Sequence, residues 1–207
     1  MPRNIPKPAI QRLCRMHHHL RQLEIAGITR TTSPLLAGNL GFAAHSIRKD
    51  INFLGEGVGE QKAGYDVSRL RGHIAQALGL ESRINLCIVG LGRLGTALMH
   101  YADFPPGRYA LVAGFDSNVN KLETLATEIP LFAAYEMSDV VHRLDVHLAC
   151  LTVPHEAAQE CAGRLCRGGI RGILNFTSCP IQCDASVKVR NLDVITELDI
   201  IAAVVQH

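Results

Sequence analysis

Ile10, Leu13, Met16 or His17, Leu20 and Leu23 recur at steps of three and four after Pro6 and Pro8, until Gly27 breaks the run. That period places them on one face of an amphipathic helix. The next stretch, TTSPLLAGNLGFAAHSIRKDINFLGEG, reads as a short helix capped by Ser33 with Pro34 at its first position, a turn at Gly41, and a second helix to about Leu54. Two short helices around a glycine turn predict a helix-turn-helix. Gly55, Gly57, Gly59 and Gly64 then punctuate a polar excursion around Glu60, Gln61 and Lys62, the composition of a hairpin-like wing. Val67, Leu70, Ile74, Ala77 and Leu78 predict one more helix before a linker at Gly79 to Arg83.

Beyond the linker, short apolar runs alternate with helical stretches. The runs predict strands at Ile84 to Val89, Ala110 to Phe115, Leu131 to Ala133, Val146 to Val153, Gly172 to Phe176 and Val187 to Val189. Helical patterns fall near Gly92 to Tyr101, Asn120 to Thr127, Met137 to Arg143 and His155 to Arg167, and a last one spans Leu192 to Val205. Continuous apolar strands alternating with helices imply a doubly wound parallel sheet covered on both faces. The expected architecture is therefore α/β: a winged helix-turn-helix over residues 1–79, then a Rossmann domain over residues 80–190.

The chain has 207 residues, 47% hydrophobic and 19% charged, which suits two folded domains and excludes disorder. No apolar run approaches the ~20 residues of a membrane span, and the opening MPRNIPKPAIQR carries no signal-peptide core; the expectation is a soluble, cytoplasmic protein. The net charge of +2 conceals a polarity, because residues 1–75 hold eleven Lys and Arg against five Asp and Glu, whereas the other 132 residues are net negative by four. A basic first third points to a polyanionic partner.

The motif with the most chemistry is Gly90-Leu91-Gly92-Arg93-Leu94-Gly95, directly after the strand INLCIV and opening a helix. The first glycine permits the turn, the second lets the backbone approach a pyrophosphate, and the third brings helix and strand together. Asp116 closes the next strand, where a carboxylate can accept hydrogen bonds from an adenosine ribose and repel a 2′-phosphate. NAD(H) is thus expected ahead of NADP(H). In the basic third, Ala43, Ala44, His45 and Ser46 are short enough at the helix start to approach base edges, and Arg48 and Lys49 can reach guanines or phosphates. Lys62 at the wing tip and Ser33 at the first helix extend that surface.

Other clusters carry less. Cys14 and His18 lie four apart, yet no second ligand pair matches them, so no metal is expected. Seven cysteines form an odd set, best read as reduced thiols; Cys179 and Cys183 flank a proline-containing loop and are the candidates for oxidation, with Asp184 disfavouring a thiolate. None of the four tyrosines has a lysine four residues later, and although His100 and His155 could be recruited for proton transfer, a lone histidine at a helix start or surface is more often structural. An enzyme is not expected.

The strings IPKPAIQRL, SIRKDINFLG, AGYDV, CIVGLGRLGTAL, FDSN, LTVPHEAAQE, GIRGILNF and VRNLDVITEL together resemble the Rex family of redox-sensing transcriptional repressors along nearly the whole chain. The resemblance implies a homodimer of winged-helix and Rossmann domains, with a C-terminal helix, here residues 191–207, exchanged between subunits. It implies double-stranded inverted-repeat operator DNA bound at a low NADH/NAD⁺ ratio and released when NADH binds. Carried over by position, the cofactor contacts are Gly90 to Gly95, Asp116, Tyr101, Val153, Pro154 and Phe176. Tyr101 matches a tyrosine that enters or leaves the nicotinamide region, and Asp193 matches an aspartate coupling it to the winged helix. His18 stands where many relatives have the arginine that pairs with this aspartate. The family's NFAPV segment is here Asn175-Phe176-Thr177-Ser178-Cys179, and the wing is one residue longer, with Lys62 lacking an adjacent arginine.

An NADH-responsive repressor is the leading reading. A small NAD-dependent oxidoreductase, and a sensor of another adenosine nucleotide such as CoA, are the alternatives.

Overall fold

The computed structural model describes residues 5–55, 58, 64–101 and 107–206. The chain divides into two compact units, Met1–Ser82 and Arg83–His207.

The first unit is helical. α1 (Lys7–Ile25) begins with Pro8 in its first turn, where the missing N–H has no intrahelical partner to lose. β1 (Arg30–Thr31) leads into α2 (Ser33–Leu40). The cap of α2 is Thr32, not the expected Ser33: Thr32 is extended, and its Oγ1 accepts the Leu35 N–H at 3.4 Å. Ser33 is the first helical residue and is buried. Gly41, left-handed at φ 68°, ends α2, and α3 (Ala44–Asn52) follows. β2 (Tyr65–Asp66) pairs antiparallel with β1, a small ladder with no signal in the hydrophobic pattern. Gly64 precedes it at φ 84°, and a side chain there would run into the Thr31 carbonyl. α4 (Val67–Leu78) is capped by Asp66, whose carboxylate accepts the Arg69 N–H at 2.9 Å. Leu13, Met16 and Leu20 meet Leu36, Ile47, Ile51, Leu70 and Ile74 in one apolar core. The tip of the expected wing, Lys62 included, lies outside the described residues.

The second unit is built on six parallel strands. β3 (Ile84–Val89), α5 (Arg93–Met99), β4 (Tyr109–Asp116), α6 (Val119–Thr124) and β5 (Leu131–Ala133) form one half. The other half comprises α7 (Met137–Arg143), β6 (Leu148–Leu151), α8 (His155–Arg167), β7 (Gly172–Asn175) and β8 (Lys188–Asn191). Strand order is β5-β4-β3-β6-β7-β8, with every neighbouring pair parallel. That is the Rossmann order, reversing between β3 and β6. β3 shows the two-residue period directly, since Leu86 and Ile88 pack with Leu91 and Met99, while Cys87 and Val89 pack with Val140, Val141, Ala158 and Leu165. The segment from β7 to β8 contains no helix. α9 (Val194–Gln206) closes the described chain and buries none of its residues, although Ile195, Leu198, Ile201, Val204 and Val205 are apolar.

Candidate functional site

The strand order reverses where β3 and β6 end side by side, and there the glycine-rich loop sits. Gly90 is at φ 92°, and a Cβ on it would stand 2.8 Å from Val153 Cγ1 and 2.9 Å from the Thr152 carbonyl. A Cβ on Gly95 would overlap the Gly90 carbonyl oxygen and lie 2.8 Å from Thr152 Oγ1. Both glycines are therefore dictated by packing within the loop. Gly92 differs, because a Cβ there would meet nothing within 4 Å. Its bareness leaves open space at the start of α5, the position where a backbone must lie close to a pyrophosphate.

Two threonines outside the glycine motif hold this loop. Thr152 Oγ1 donates to the Gly90 carbonyl at 2.7 Å and lies 3.0 Å from that of Val89, and Thr96 Oγ1 donates to the Leu91 carbonyl at 3.1 Å. The Leu91 side chain is buried in the sheet and reaches the site only through its backbone, while Arg93 and Leu94 are exposed.

Asp116, at the end of β4, is the second feature of the loop. Its Oδ2 accepts the Leu91 N–H at 2.8 Å and the Lys121 Nζ at 3.0 Å, and its Oδ1 accepts the Asn118 N–H at 2.9 Å. Burial alone would push this carboxyl up, but the hydrogen bonds from Asn118, Lys121 and Leu91 and the charge of Lys121 outweigh it. The net result is a carboxyl held below its ordinary value, hence ionised at neutral pH. Lys121 lies one turn into α6, beyond the position directly after Asp116 where a cation would be legible in the sequence.

The remaining expected cofactor residues occupy adjacent strand ends. Val153 is half-buried beside Gly90, Pro154 caps α8, and the Phe176 N–H donates to the Leu151 carbonyl at 2.9 Å. The loop after β7 is organised by the buried Asn175, whose Nδ2 donates to Cys179 O and Asn191 Oδ1, both at 2.9 Å. Asn175 Oδ1 in turn accepts from the backbone and hydroxyl of Thr177 at 3.0 and 2.7 Å. Tyr101 is half exposed at 51%. Asp193 caps α9, accepting the Ile195 N–H at 3.1 Å and the Thr196 hydroxyl at 2.8 Å.

In the first unit, α3 presents His45, Arg48 and Lys49 to solvent, with Ser46 partly exposed. Arg48 Nη1 donates to Ser33 Oγ at 3.3 Å, so the buried Ser33 steadies the arginine instead of offering its hydroxyl to a ligand. The opposite face of α3 carries Asp50, and Arg12 of α1 engages it. No local pattern signals this pair, since its members lie 38 positions apart.

His18 is exposed and lines, with Cys14, Arg15, His19 and Asn39, a cavity of about 550 Å³; His19 and Asn39 are hydrogen-bonded at 3.2 Å. Among the described residues no group of three or more His, Cys, Asp or Glu is arranged to hold a metal ion, and no helix is long and apolar enough to cross a membrane.

Comparison with known proteins follows the same division of the chain. Residues 4–52 match the family model "Putative DNA-binding protein N-terminus", and residues 81–179 match the CoA binding domain. The redox-sensing transcriptional repressor Rex of Listeria monocytogenes is 32% identical over 194 residues, covering 94% of this chain and 90% of its own. The Rex of Leuconostoc citreum is 33% identical, covering 94% of this chain and 89% of its own. Among solved structures, RSP in complex with β-NADH superposes with a TM-score of 0.86 at 27% identity, covering 98% of this chain and 94% of that one. RSP in complex with β-NAD⁺ and operator DNA gives 0.87 at 29% identity, covering 97% and 92%. Such identity, sustained across both units, means that this chain belongs to the Rex family of redox-sensing transcriptional repressors.

Proposed function

We propose that this chain is a transcriptional repressor that holds an inverted-repeat operator when NADH is scarce and releases it when NADH occupies the Rossmann unit. The observation that carries the reading is one chain bearing both halves of such a sensor. A cradle shaped by Gly90, Gly92, Gly95 and Thr152 lies at a sheet reversal, and α3 exposes Arg48 and Lys49. Its relatives support it, since RSP has been captured with NADH and with NAD⁺ plus operator DNA.

The residues fit a dinucleotide. Gly90 and Gly95 leave no room for side chains of their own, and Gly92 leaves space at the helix start. Asp116 is ionised, and an anion there disfavours a 2′-phosphate. When bound, the nicotinamide offers two redox forms differing by a hydride and a ring charge; the protein's part is to bind them unequally. Val153, Pro154, Phe176 and Tyr101 are the side chains proposed to sense that difference, alongside the backbone of Gly90 to Gly95. A ligand shifts a two-state protein only through its differential affinity for the two states, so NADH must favour the DNA-releasing conformation.

For DNA, His45, Ser46, Arg48, Lys49 and Lys62 are proposed as the contacts, with Ser33 steadying Arg48. Residues 1–79 would serve DNA binding and 80–190 the nucleotide. The exposed apolar residues of α9 support a homodimer in which each C-terminal segment, 191–207, is covered by the other copy. His18, Tyr101 and Asp193 are the proposed coupling residues. The chain acts as a regulator, not a catalyst, and its place is the cytoplasm, where thiols outside disulfides persist.

The test is a mobility-shift titration on an inverted-repeat operator, with NADH and NAD⁺ compared. Release by NADH at far lower concentration supports the sensor, and equal effects of the two overturn it. The match of residues 81–179 to a CoA binding domain favours a second reading, an adenosine sensor of another kind. Calorimetric titration with CoA decides that point, because CoA binding tighter than NADH would replace the redox reading.

A further inference from the structure

Three points on α8 grip the segment between β7 and β8. Cys179 Sγ donates to the His155 carbonyl at 3.6 Å. One turn on, the Gln159 amide clasps the peptide of Gln182 from both sides, its Nε2 donating to Gln182 O at 3.0 Å and its Oε1 accepting the Gln182 N–H at 2.9 Å. Two turns further, Cys166 stands beside Cys183 and perturbs its thiol. Positions 155, 159 and 166 share one helix face, and the Gln159 clasp fixes the residue directly before Cys183. Both thiols also line one cavity of about 530 Å³, with Gln159, Gly163 and Asp184 around them. Neither belongs to the nucleotide or DNA surfaces described above.

We propose that Cys166 and Cys183 form a redox modification site that closes to an intrachain disulfide on meeting a hydroperoxide. Chemically, the Cys166 sulfur attacks the peroxide O–O bond. An S–O bond forms, the O–O bond breaks, and the departing oxygen takes the thiol proton and leaves as water or an alcohol. The Cys183 sulfur then attacks that sulfur; the S–S bond forms, the S–O bond breaks, and the second oxygen leaves as water with the Cys183 proton. Two thiols lose two electrons in total, and one hydroperoxide gains them.

Roles divide by environment. Burial first, then the Cys166 thiol beside it and the charge of Asp184, push the Cys183 thiol up to about 12. It keeps its proton at neutral pH, which suits Cys183 to the resolving step, and the linked product is the same whichever sulfur meets the peroxide first. Cys87 and Cys150 take no part: burial in the sheet pushes both thiols up, Cys150 to about 11.

The disulfide would fasten the far end of the segment that carries Phe176 and Thr177 to the helix that starts beside Val153 and Pro154. A consequence for nucleotide affinity rests on the function proposed above. The experiment exposes the full chain to hydrogen peroxide and reads intact mass, non-reducing peptide maps and NADH affinity, with Cys166→Ser, Cys183→Ser and Cys179→Ser in parallel. The expected result is a loss of two hydrogens and a Cys166–Cys183 linked peptide. Dithiothreitol should reverse it, Cys166→Ser and Cys183→Ser should abolish it, and Cys179→Ser should retain it. NADH affinity should differ at least twofold between the oxidised and reduced forms of the wild type. A Cys179–Cys183 link, or no link, overturns the site. A Cys166–Cys183 link with unchanged NADH affinity overturns the coupling. Failure of the reduced protein to bind NADH overturns the proposed function, and the peptide map still decides the thiol pair.

Discussion

Arg12 of α1 holds Asp50 of α3 with two hydrogen bonds, Nε to Oδ2 at 2.5 Å and Nη2 to Oδ1 at 2.9 Å, and the Asp50 side chain is only 1% exposed. The bidentate grip sets the orientation of the helix whose other face shows Arg48 and Lys49. Removing one partner of a buried pair strands the other charge, which typically costs about 3 kcal/mol or more. Arg12→Ala should lower urea-unfolding stability by that order and weaken operator binding with it. A stability loss under ~1 kcal/mol would mean that water reaches Asp50 and the pair is marginal.

Arg48→Ala combined with Lys49→Ala should abolish specific operator binding and leave NADH affinity within twofold of wild type. Each good base contact is worth about 1–3 kcal/mol, and phosphate contacts add a salt-dependent increment. Ser33→Ala should act in the same direction but more weakly, since Ser33 reaches DNA through Arg48, whose hydrogen bond it accepts. Mobility shifts at two salt concentrations measure all three.

Much of this was legible in the sequence because the signals are local. The β3 strand, the Gly90 to Gly95 loop and the α5 start are contiguous, so the two-residue period, the glycine spacing and the helix onset confirm one another within a dozen positions. The strand of Asp116 was equally clear, but not how its carboxylate is spent, because Leu91, Asn118 and Lys121 converge on it from three directions. Arg12 with Asp50, and Cys166 with Cys183, were invisible for the same reason: each joins elements that only the tertiary fold brings together. The cap of α2 shows a smaller failure. Thr32 and Ser33 are both competent caps, and the choice was settled by burying Ser33 against the core, which sequence spacing does not report.

Asp116→Ala should weaken NADH binding about tenfold or more, the loss expected for hydrogen bonds to a charged group of about 1.5–3 kcal/mol. It should also raise NADPH affinity, because Lys121 loses the carboxylate it pairs with at 3.0 Å and becomes available to a phosphate. Adding Lys121→Ala should erase the NADPH gain. Fluorescence titration with both nucleotides reads this, and unchanged selectivity in Asp116→Ala would remove Asp116 from the ribose position.

The same carboxylate sets an acid limit. Its folded value lies below the ordinary one, so its contribution to stability is complete above the unfolded pKa of about 3.9 and fades as pH falls through the lowered folded value. Melting temperatures of wild type and Asp116→Asn should therefore differ at pH 7 and converge in strong acid. A gap that stays constant down to pH 2 would assign it to something other than charge.

The two outer glycines and the middle one should separate cleanly under substitution. At Gly95 an added methyl overlaps the Gly90 carbonyl, a backbone atom that Thr152 also holds, so the strain has no soft side chain to relax into. Gly95→Ala should lose about 1–3 kcal/mol of stability, the usual cost of overpacking a tight contact. Gly92 has an ordinary φ of −72°, and a methyl on it would meet no atom within 4 Å, so Gly92→Ala should fold with stability within about 1 kcal/mol of wild type. If the backbone at Gly92 must approach a pyrophosphate, that silent substitution should nonetheless weaken NADH binding at least tenfold, about 1.4 kcal/mol. NADH would then fail to release the operator while operator binding itself stays intact, because α3 lies in the other unit. Chemical denaturation, NADH titration and mobility shifts on the one variant read the three quantities separately. Wild-type NADH affinity in Gly92→Ala would show that the cofactor does not lie over the start of α5.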